Sequence, residues 1–289
     1  MTTHAATVPY RHGVLSISAA AVAWGAGGAV AALLMNTAGL GPIAVCAWRF
    51  AVAAGCLLLL PARERSGGWR AAVLTGIGLM VGQCAYFASV RYAGLGLATL
   101  ITIGAGPVFT SLGAHLLLGE RLTRRALAAN GLALGGLVLL TAAPAAGPRP
   151  LLGVGLALLS GAAHSGLTLW ARGGGTARAS AGAFGTGLAC LLPVALLLEG
   201  GVLPSAGQPV PTAAALLFLG TVPTLIAYRW YFAGLATVPG ATAAVLVLLE
   251  PATAALLGVA CFGEPLTWTV AAGSALLLTA VVALTRRQE

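Results

Sequence analysis

Leu246-Val247-Leu248-Leu249-Glu250-Pro251-Ala252-Thr253-Ala254-Ala255-Leu256-Leu257 reads as a membrane-spanning helix with an acid and a proline near its middle. A carboxylate in hydrocarbon costs roughly 2.5–3.5 kcal/mol on insertion scales. A mid-helix proline frees a carbonyl that something else must satisfy. Two such costs at adjacent positions point to a wet cavity at that depth rather than lipid. The stretch closes with Gly263-Glu264-Pro265-Leu266, and a similar one lies earlier, from Gly106-Pro107 to Gly119-Glu120-Arg121-Leu122. The offset is constant: 251 − 107, 264 − 120 and 266 − 122 all give 144. The chain therefore reads as a duplicated membrane protein, with the second copy chemically the more loaded.

Composition agrees. Only 7% of the 289 residues are charged and 59% are hydrophobic, against about a quarter charged in soluble domains. Mean hydropathy is +0.97. There is no Asp and no Lys, so the net charge of +9 rests entirely on arginine. That charge reads as cytoplasmic-loop arginine and not as a nucleic-acid surface. The five cysteines, Cys46, Cys56, Cys84, Cys190 and Cys261, fall inside apolar runs without metal-ligand spacing and read as core residues. Neither a metal nor a cofactor is expected. Residues 1–11 lack the layout of a cleaved signal peptide, so the first run reads as a retained span.

A transmembrane helix needs about 20 apolar residues. Ten runs qualify, at 13–35, 41–61, 70–90, 95–118, 124–142, 151–171, 180–198, 212–233, 239–262 and 267–285. Glycine, proline and arginine clusters separate them, and Thr123 and Thr267 are placed to cap the helices they open. With the N-terminus inside, the cytoplasmic segments hold Arg11, Arg63, Arg65, Arg70, Arg121, Arg124, Arg125, Arg172, Arg178, Arg286 and Arg287. The external segments hold only Arg91 and Arg149. This positive-inside bias predicts both termini in the cytoplasm. Five spans per copy forces the second copy to insert inverted, so the expected fold is an all-α membrane protein of ten transmembrane helices in two inverted repeats, 1–146 and 147–289. Inverted repeats are a transporter architecture with its site near the midplane.

The chain resembles the EamA family of the drug/metabolite transporter superfamily along essentially its whole length. Trp24-Gly25, Arg49-Phe50 and Tyr86-Phe87 carry the resemblance in the first three spans, and Pro107-Val108-Phe109 to Gly119-Glu120-Arg121-Leu122 in the fourth. The second half adds Val238-Pro239-Gly240-Ala241-Thr242-Ala243-Ala244, Leu249-Glu250-Pro251 and Gly263-Glu264-Pro265-Leu266. The resemblance implies a ten-helix carrier of the bacterial inner membrane, commonly an exporter, in a family whose members move amino acids, sugars, drugs and other metabolites. Where many relatives place a polar residue shortly after Trp-Gly, this chain has Ala26-Gly27-Gly28.

Polar side chains at helical spacing mark the faces that meet water. The substrate-binding candidates are Trp24, Gln83, Tyr86, His164, Tyr228 and Glu250. His164 matches Trp24 of the first copy, since 164 − 24 is 140. Serine and threonine on the same faces serve equally as glue between helices. Two arginines compete to pair with Glu250: Arg49, about 12 Å below the outer end of its span, and Arg229, about 6 Å from the inner end of its own. Depth does not choose between them, and the shallower Arg229 can also snorkel. Pro107 and Pro251 are the expected helix breaks. The glycines from Gly131 to Gly136 suit close packing within the monomer or in a homodimer. Spans five and ten, nearly free of polar side chains, should be peripheral.

Three functions compete on this reading. A secondary transporter of a small amphipathic or cationic solute, amino acids and drug-like amines included, fits the duplication and the midplane polar groups. Proton coupling would run through Glu250, for which a proton and a cationic substrate compete; alternatively the carboxyl clamps a carbonyl freed by Pro251. A non-transporting membrane assembly factor needs no ionisable Glu250. An intramembrane serine hydrolase would use Ser160 and His164 at i, i+4, whereas a di-aspartyl protease is excluded and no His-Glu-x-x-His motif offers zinc.

Overall fold

A computed structural model describes residues 10–60, 68–121, 123–140, 148–173, 179–205, 209–262 and 267–285. The Gly-Glu-Pro-Leu segment 263–266, Leu122, the arginines at 63, 65, 178, 286 and 287, and both termini lie outside these residues. The described chain is helical, without a strand. Its helices are α1 (Tyr10–Ala38), α2 (Pro42–Leu58), α3 (Trp69–Ala93), α4 (Leu95–Leu118), α5 (Arg124–Leu140), α6 (Pro150–Arg172) and α7 (Ala181–Glu199). After α8 (Pro209–Gly220), a π-helical segment (Thr221–Ile226) leads into α9 (Ala227–Gly234); α10 (Gly240–Val247), α11 (Leu249–Phe262) and α12 (Trp268–Thr285) follow.

Each of the ten predicted runs overlaps a helical element. By length and composition, however, seven stretches can cross a bilayer: Tyr10–Ala38, Trp69–Ala93, Leu97–Leu118, Pro150–Arg172, Ala181–Glu199, Pro209–Gly234 and Gly240–Ala260. Pro42–Leu58 and Ala271–Ala283 are apolar but shorter. A 17-residue helix such as α2 rises about 26 Å, less than the ~30 Å of hydrocarbon. The run at 124–142 yields α5, also 17 residues, with Arg124 and Arg125 in its first turn. Thr123 caps α5 as expected, its hydroxyl accepting from the Ala126 amide at 3.1 Å.

Packing follows the duplication. Helix α1 packs on α9 and α11, while its counterpart α6 packs on α3 and α4; α2 packs on its counterpart α7, and α5 on α12. Exchanging the halves leaves this pattern unchanged. Individual close approaches repeat it. A Cβ at Gly76 would overlap the Ala183 carbonyl and lie 2.8 Å from Thr186 Cβ; one at Gly220 would overlap Val52 and lie 3.2 Å from the Arg49 carbonyl. Here 220 − 76 is 144, and both 183 − 49 and 186 − 52 are 134. The small residues let helix backbones approach where an apolar solvent offers no hydrophobic drive.

Spans five and ten are peripheral in the sense that no residue of α5 or α12 lines the central cavity. They are not free of polar chemistry. Asn130 is buried on α5 and donates to Ser111 Oγ of α4 at 3.1 Å. A Cβ at Gly136 would lie 2.7 Å from the Gly273 carbonyl of α12, so this glycine seats α5 against α12, whereas a Cβ at Gly131 or Gly135 would meet nothing within 4 Å.

Candidate functional site

One cavity of about 680 Å³ lies between the two halves. Trp24, Gln83, Tyr86, His164, Tyr228 and Glu250 all line it, and so does Arg49. Six helical stretches, α1, α2, α3, α6, α9 and α11, thus deliver these seven side chains to one space. Arg229 is exposed and lies outside the lining. Four residues from the end of its run, its long side chain reaches the surface at little cost, so of the two candidate cations only Arg49 shares the cavity with Glu250.

The charged groups are held differently. Arg49 Nε donates to Thr224 Oγ1 at 3.0 Å, and that hydroxyl donates to the Leu219 carbonyl at 2.7 Å. The chain has a local cause: Pro223 lacks the N–H that would bond the Leu219 carbonyl four residues back. The helix widens to π geometry there, and Thr224 supplies the missing donor. π-segments of this kind are frequent at functional sites. Glu250 has no such support. Among the described residues no hydrogen bond or ion pair reaches its carboxylate; it is half-buried against the cavity, within reach of the Arg49 field. The alternative reading, a clamp on a carbonyl freed by Pro251, has no such bond among the described residues.

The two prolines behave unequally. Pro251 does interrupt its span: α10 ends at Val247, whose carbonyl a residue at 251 would have bonded, and α11 begins at Leu249. Pro107 does not break α4, which runs unbroken from Leu95 to Leu118. One bond to the Ile103 carbonyl is lost, but neighbouring bonds persist, and Ser165 Oγ on α6 donates to the adjacent Gly106 carbonyl at 3.2 Å. The counterpart contact in the other half is Gly25, whose Cβ position lies 2.5 Å from the Glu250 carbonyl.

Aromatic rings form the wall beside Glu250. Trp24 packs at a tilt against Tyr228 and Tyr231, with ring centroids 5.2 Å from each and interplanar angles of 57° and 59°, and Tyr228 stacks on Phe232 at 6.1 Å. Trp24 Nε1 is buried with no partner among the described residues. Tyr86 shares a 2.9 Å hydrogen bond with Thr99, and the Cys46 thiol donates to Gln83 Oε1 at 3.5 Å. His164 Nδ1 donates to the Ser160 carbonyl at 3.0 Å, while Ser160 Oγ donates to the Gly82 carbonyl at 2.8 Å. The serine hydroxyl is engaged elsewhere, so Ser160 and His164 do not form the nucleophile–base pair a hydrolase would need. A Cβ at Gly82 would lie 2.6 Å from His164 Cε1, so this glycine makes room for the ring. Among the described residues no cluster of three metal-ligating side chains occurs.

Two carboxylates escaped the sequence-based site. Glu199, the last residue of α7, accepts from the Ile43 and Ala44 amides, both at 2.8 Å, and so caps α2. Glu120 accepts from Arg172 Nη2 at 2.6 Å and Nε at 3.1 Å, and its other oxygen accepts from the Gly240 amide at 3.1 Å. Phe232 was likewise missed as a cavity aromatic; its spacing of four from Tyr228 was the available signal.

Comparison with known proteins agrees with this architecture. The model of the EamA-like transporter family matches residues 11–142 and again 151–286. The chain is 30% identical over 288 residues to an uncharacterized transporter, YwfM, of Bacillus subtilis, covering 95% of each chain. It is 39% identical over 230 residues to the uncharacterized protein PA1977 of Pseudomonas aeruginosa, covering 75% of each. A solved crystal structure sharing 23% identity superposes with a TM-score of 0.78 over 96% of this chain and 98% of that one. The doubled match, the doubled packing and the cavity between the halves agree: this chain is a multi-pass membrane protein of the EamA-like transporter family.

Proposed function

We propose that this chain is a secondary transporter that exports a small solute bearing a cationic group on an apolar frame across a bacterial inner membrane. One observation carries the reading: Glu250, a carboxylate without a partner among the described residues, faces a cavity walled by Trp24, Tyr228 and Tyr231. A cationic group is attracted both to the carboxylate and to the faces of aromatic rings, while apolar surface supplies the remaining binding energy. Gln83, Tyr86 and His164 add polar contacts, and Arg49 offers a competing cation for Glu250 when substrate leaves. A proton can occupy the same carboxylate in place of substrate, which would couple the two fluxes. Ten spans in two inverted five-helix repeats, 1–146 and 147–289, with both termini cytoplasmic, would let the halves rock about this site.

Purified protein in liposomes, screened against amino acids, organic amines and neutral analogues, tests the proposal. The expected result is saturable flux of a cationic solute, dependent on a pH gradient and lost in the Glu250→Gln protein. Absence of protein-dependent flux for every solute would overturn the transport reading and favour an assembly factor.

A further inference from the structure

The cavity is closed at one end and open at the other, and the two halves are not chemically equivalent at those ends. On one side its lining reaches Ala32 and Arg91, both exposed. On the other it includes Thr110, Thr168, Tyr231 and Ala244, all buried, and the half-buried Phe232. Thr168 and Tyr231 share a 2.6 Å hydrogen bond across that floor. One helical turn beyond, Arg172 Nη1 donates to the Leu235 carbonyl at 2.9 Å, and the same guanidinium grips Glu120 through Nε and Nη2. Thr168 and Arg172 lie four apart on α6, and Tyr231 and Leu235 four apart on α9 and just beyond it, so two rungs join the same two helices. The free oxygen of Glu120 receives the Gly240 amide at the start of α10. That position suits an anion, since it faces the positive end of the helix dipole. The ends of α4, α6 and α10 are thus tied to one carboxylate, and the end of α9 to the guanidinium that grips it.

The corresponding positions of the other half carry neither the threonine nor the arginine. Subtracting the offset of 140 that relates His164 to Trp24 takes Thr168 to Gly28 and Arg172 to Ala32. Gly28 and Ala32 both line the cavity on its open side, and a Cβ at Gly28 would meet nothing within 4 Å. A hydroxyl and a guanidinium at one end are therefore replaced by no side chain and a methyl at the other.

We infer that the Glu120–Arg172 ion pair, with the Thr168–Tyr231 bond above it, is the latch that holds one end of the cavity shut and so sets the side from which the resting protein is loaded. This rests on the reading of the cavity as a transport site. The pair suits a latch: its side chains are 18% and 20% exposed, shielded enough to resist salt screening yet near enough to water for the charges to separate without a deep desolvation cost.

The test reads accessibility instead of flux. A reporter cysteine replaces Thr110 in the full-length chain whose five native cysteines are serines, and a membrane-impermeant maleimide is applied to vesicles of each orientation. With the latch intact, labelling from the Glu120 face should be negligible. Glu120→Gln and, separately, Arg172→Gln should label at least about tenfold faster from that face. Each variant is scored on monodisperse protein, and Thr168→Val, which removes the upper rung without touching a charge, should give a smaller increase in the same direction. Unchanged labelling from the Glu120 face in the charge variants overturns the latch, even where flux is normal. Faster labelling in a protein that moves no solute leaves the latch standing and removes the transport reading instead.

Discussion

At the scale of single residues, the contrast between Glu250 and Glu199 separates a carboxylate held for structure from one left free for chemistry. Glu199 uses both oxygens to accept from the first-turn amides of the buried Ile43 and Ala44 of α2. Glu199→Ala should leave two amides without their acceptor, costing about 1–3 kcal/mol, and lower the Tm of the detergent-solubilised protein without abolishing insertion. Glu250 faces the cavity and has no such bonds among the described residues. Glu250→Gln keeps its shape and should leave the Tm near that of the parent, while transport loses its pH dependence between about pH 5 and 8 and substrate flux falls at least tenfold. Transport by Glu250→Gln that tracks the parent across this range would exclude ionisation of Glu250 from the mechanism. Glu250 was legible in the sequence because an acid inside an apolar run has no inexpensive explanation. Glu199 was not, because an acid at the end of a run is ordinary, and its partners lie more than 150 positions away.

At the scale of elements, proline marks were readable but their consequences were not. Pro251 interrupts its helix and Pro107 does not, although both remove one amide. The π-segment at Thr221–Ile226 was not foreseen either, since its cause combines Pro223 with a threonine one position on and an arginine from α2. Thr224 carries two roles there, as donor to the Leu219 carbonyl and as acceptor for Arg49. Thr224→Val preserves the shape and removes both bonds. It should release Arg49 toward Glu250, and the expected outcome is a weakened apparent affinity for a cationic substrate, by about three- to tenfold, with kcat less affected. Thr224→Ser, which retains the hydroxyl, should restore the affinity. An unchanged KM in Thr224→Val would show that the Arg49 tether does not tune the site.

For the whole molecule, the duplication was legible from the offset of 144 and the helix count only in part. Periodicity locates apolar runs, but span length depends on where loops and caps cut them, and α2 and α5 each keep 17 residues. Arginine distribution carries the orientation: reporter fusions at 66–68 and 174 should score cytoplasmic and those at 146 and 206 external. The pairing of halves, invisible in one dimension, is set by where backbones approach most closely. Gly76 and Gly220 hold corresponding contacts, α3 on α7 and the end of α8 on α2, and neither position has room for a Cβ against backbone or branched neighbours. Gly55 and Gly131 also lie inside helices, yet a Cβ at either meets nothing within 4 Å. Alanine should therefore act in opposite directions at the two kinds of site. Gly76→Ala and Gly220→Ala must push helices apart and should lower the Tm by similar amounts, because the duplicated packing gives them the same task. Gly55→Ala and Gly131→Ala only restrict the backbone in favour of helix, which is worth roughly 0.5–1 kcal/mol, and should leave the Tm equal or higher. Thermal unfolding of the four purified variants checks this, and equal losses at all four positions would refute a fold held by symmetric close contacts.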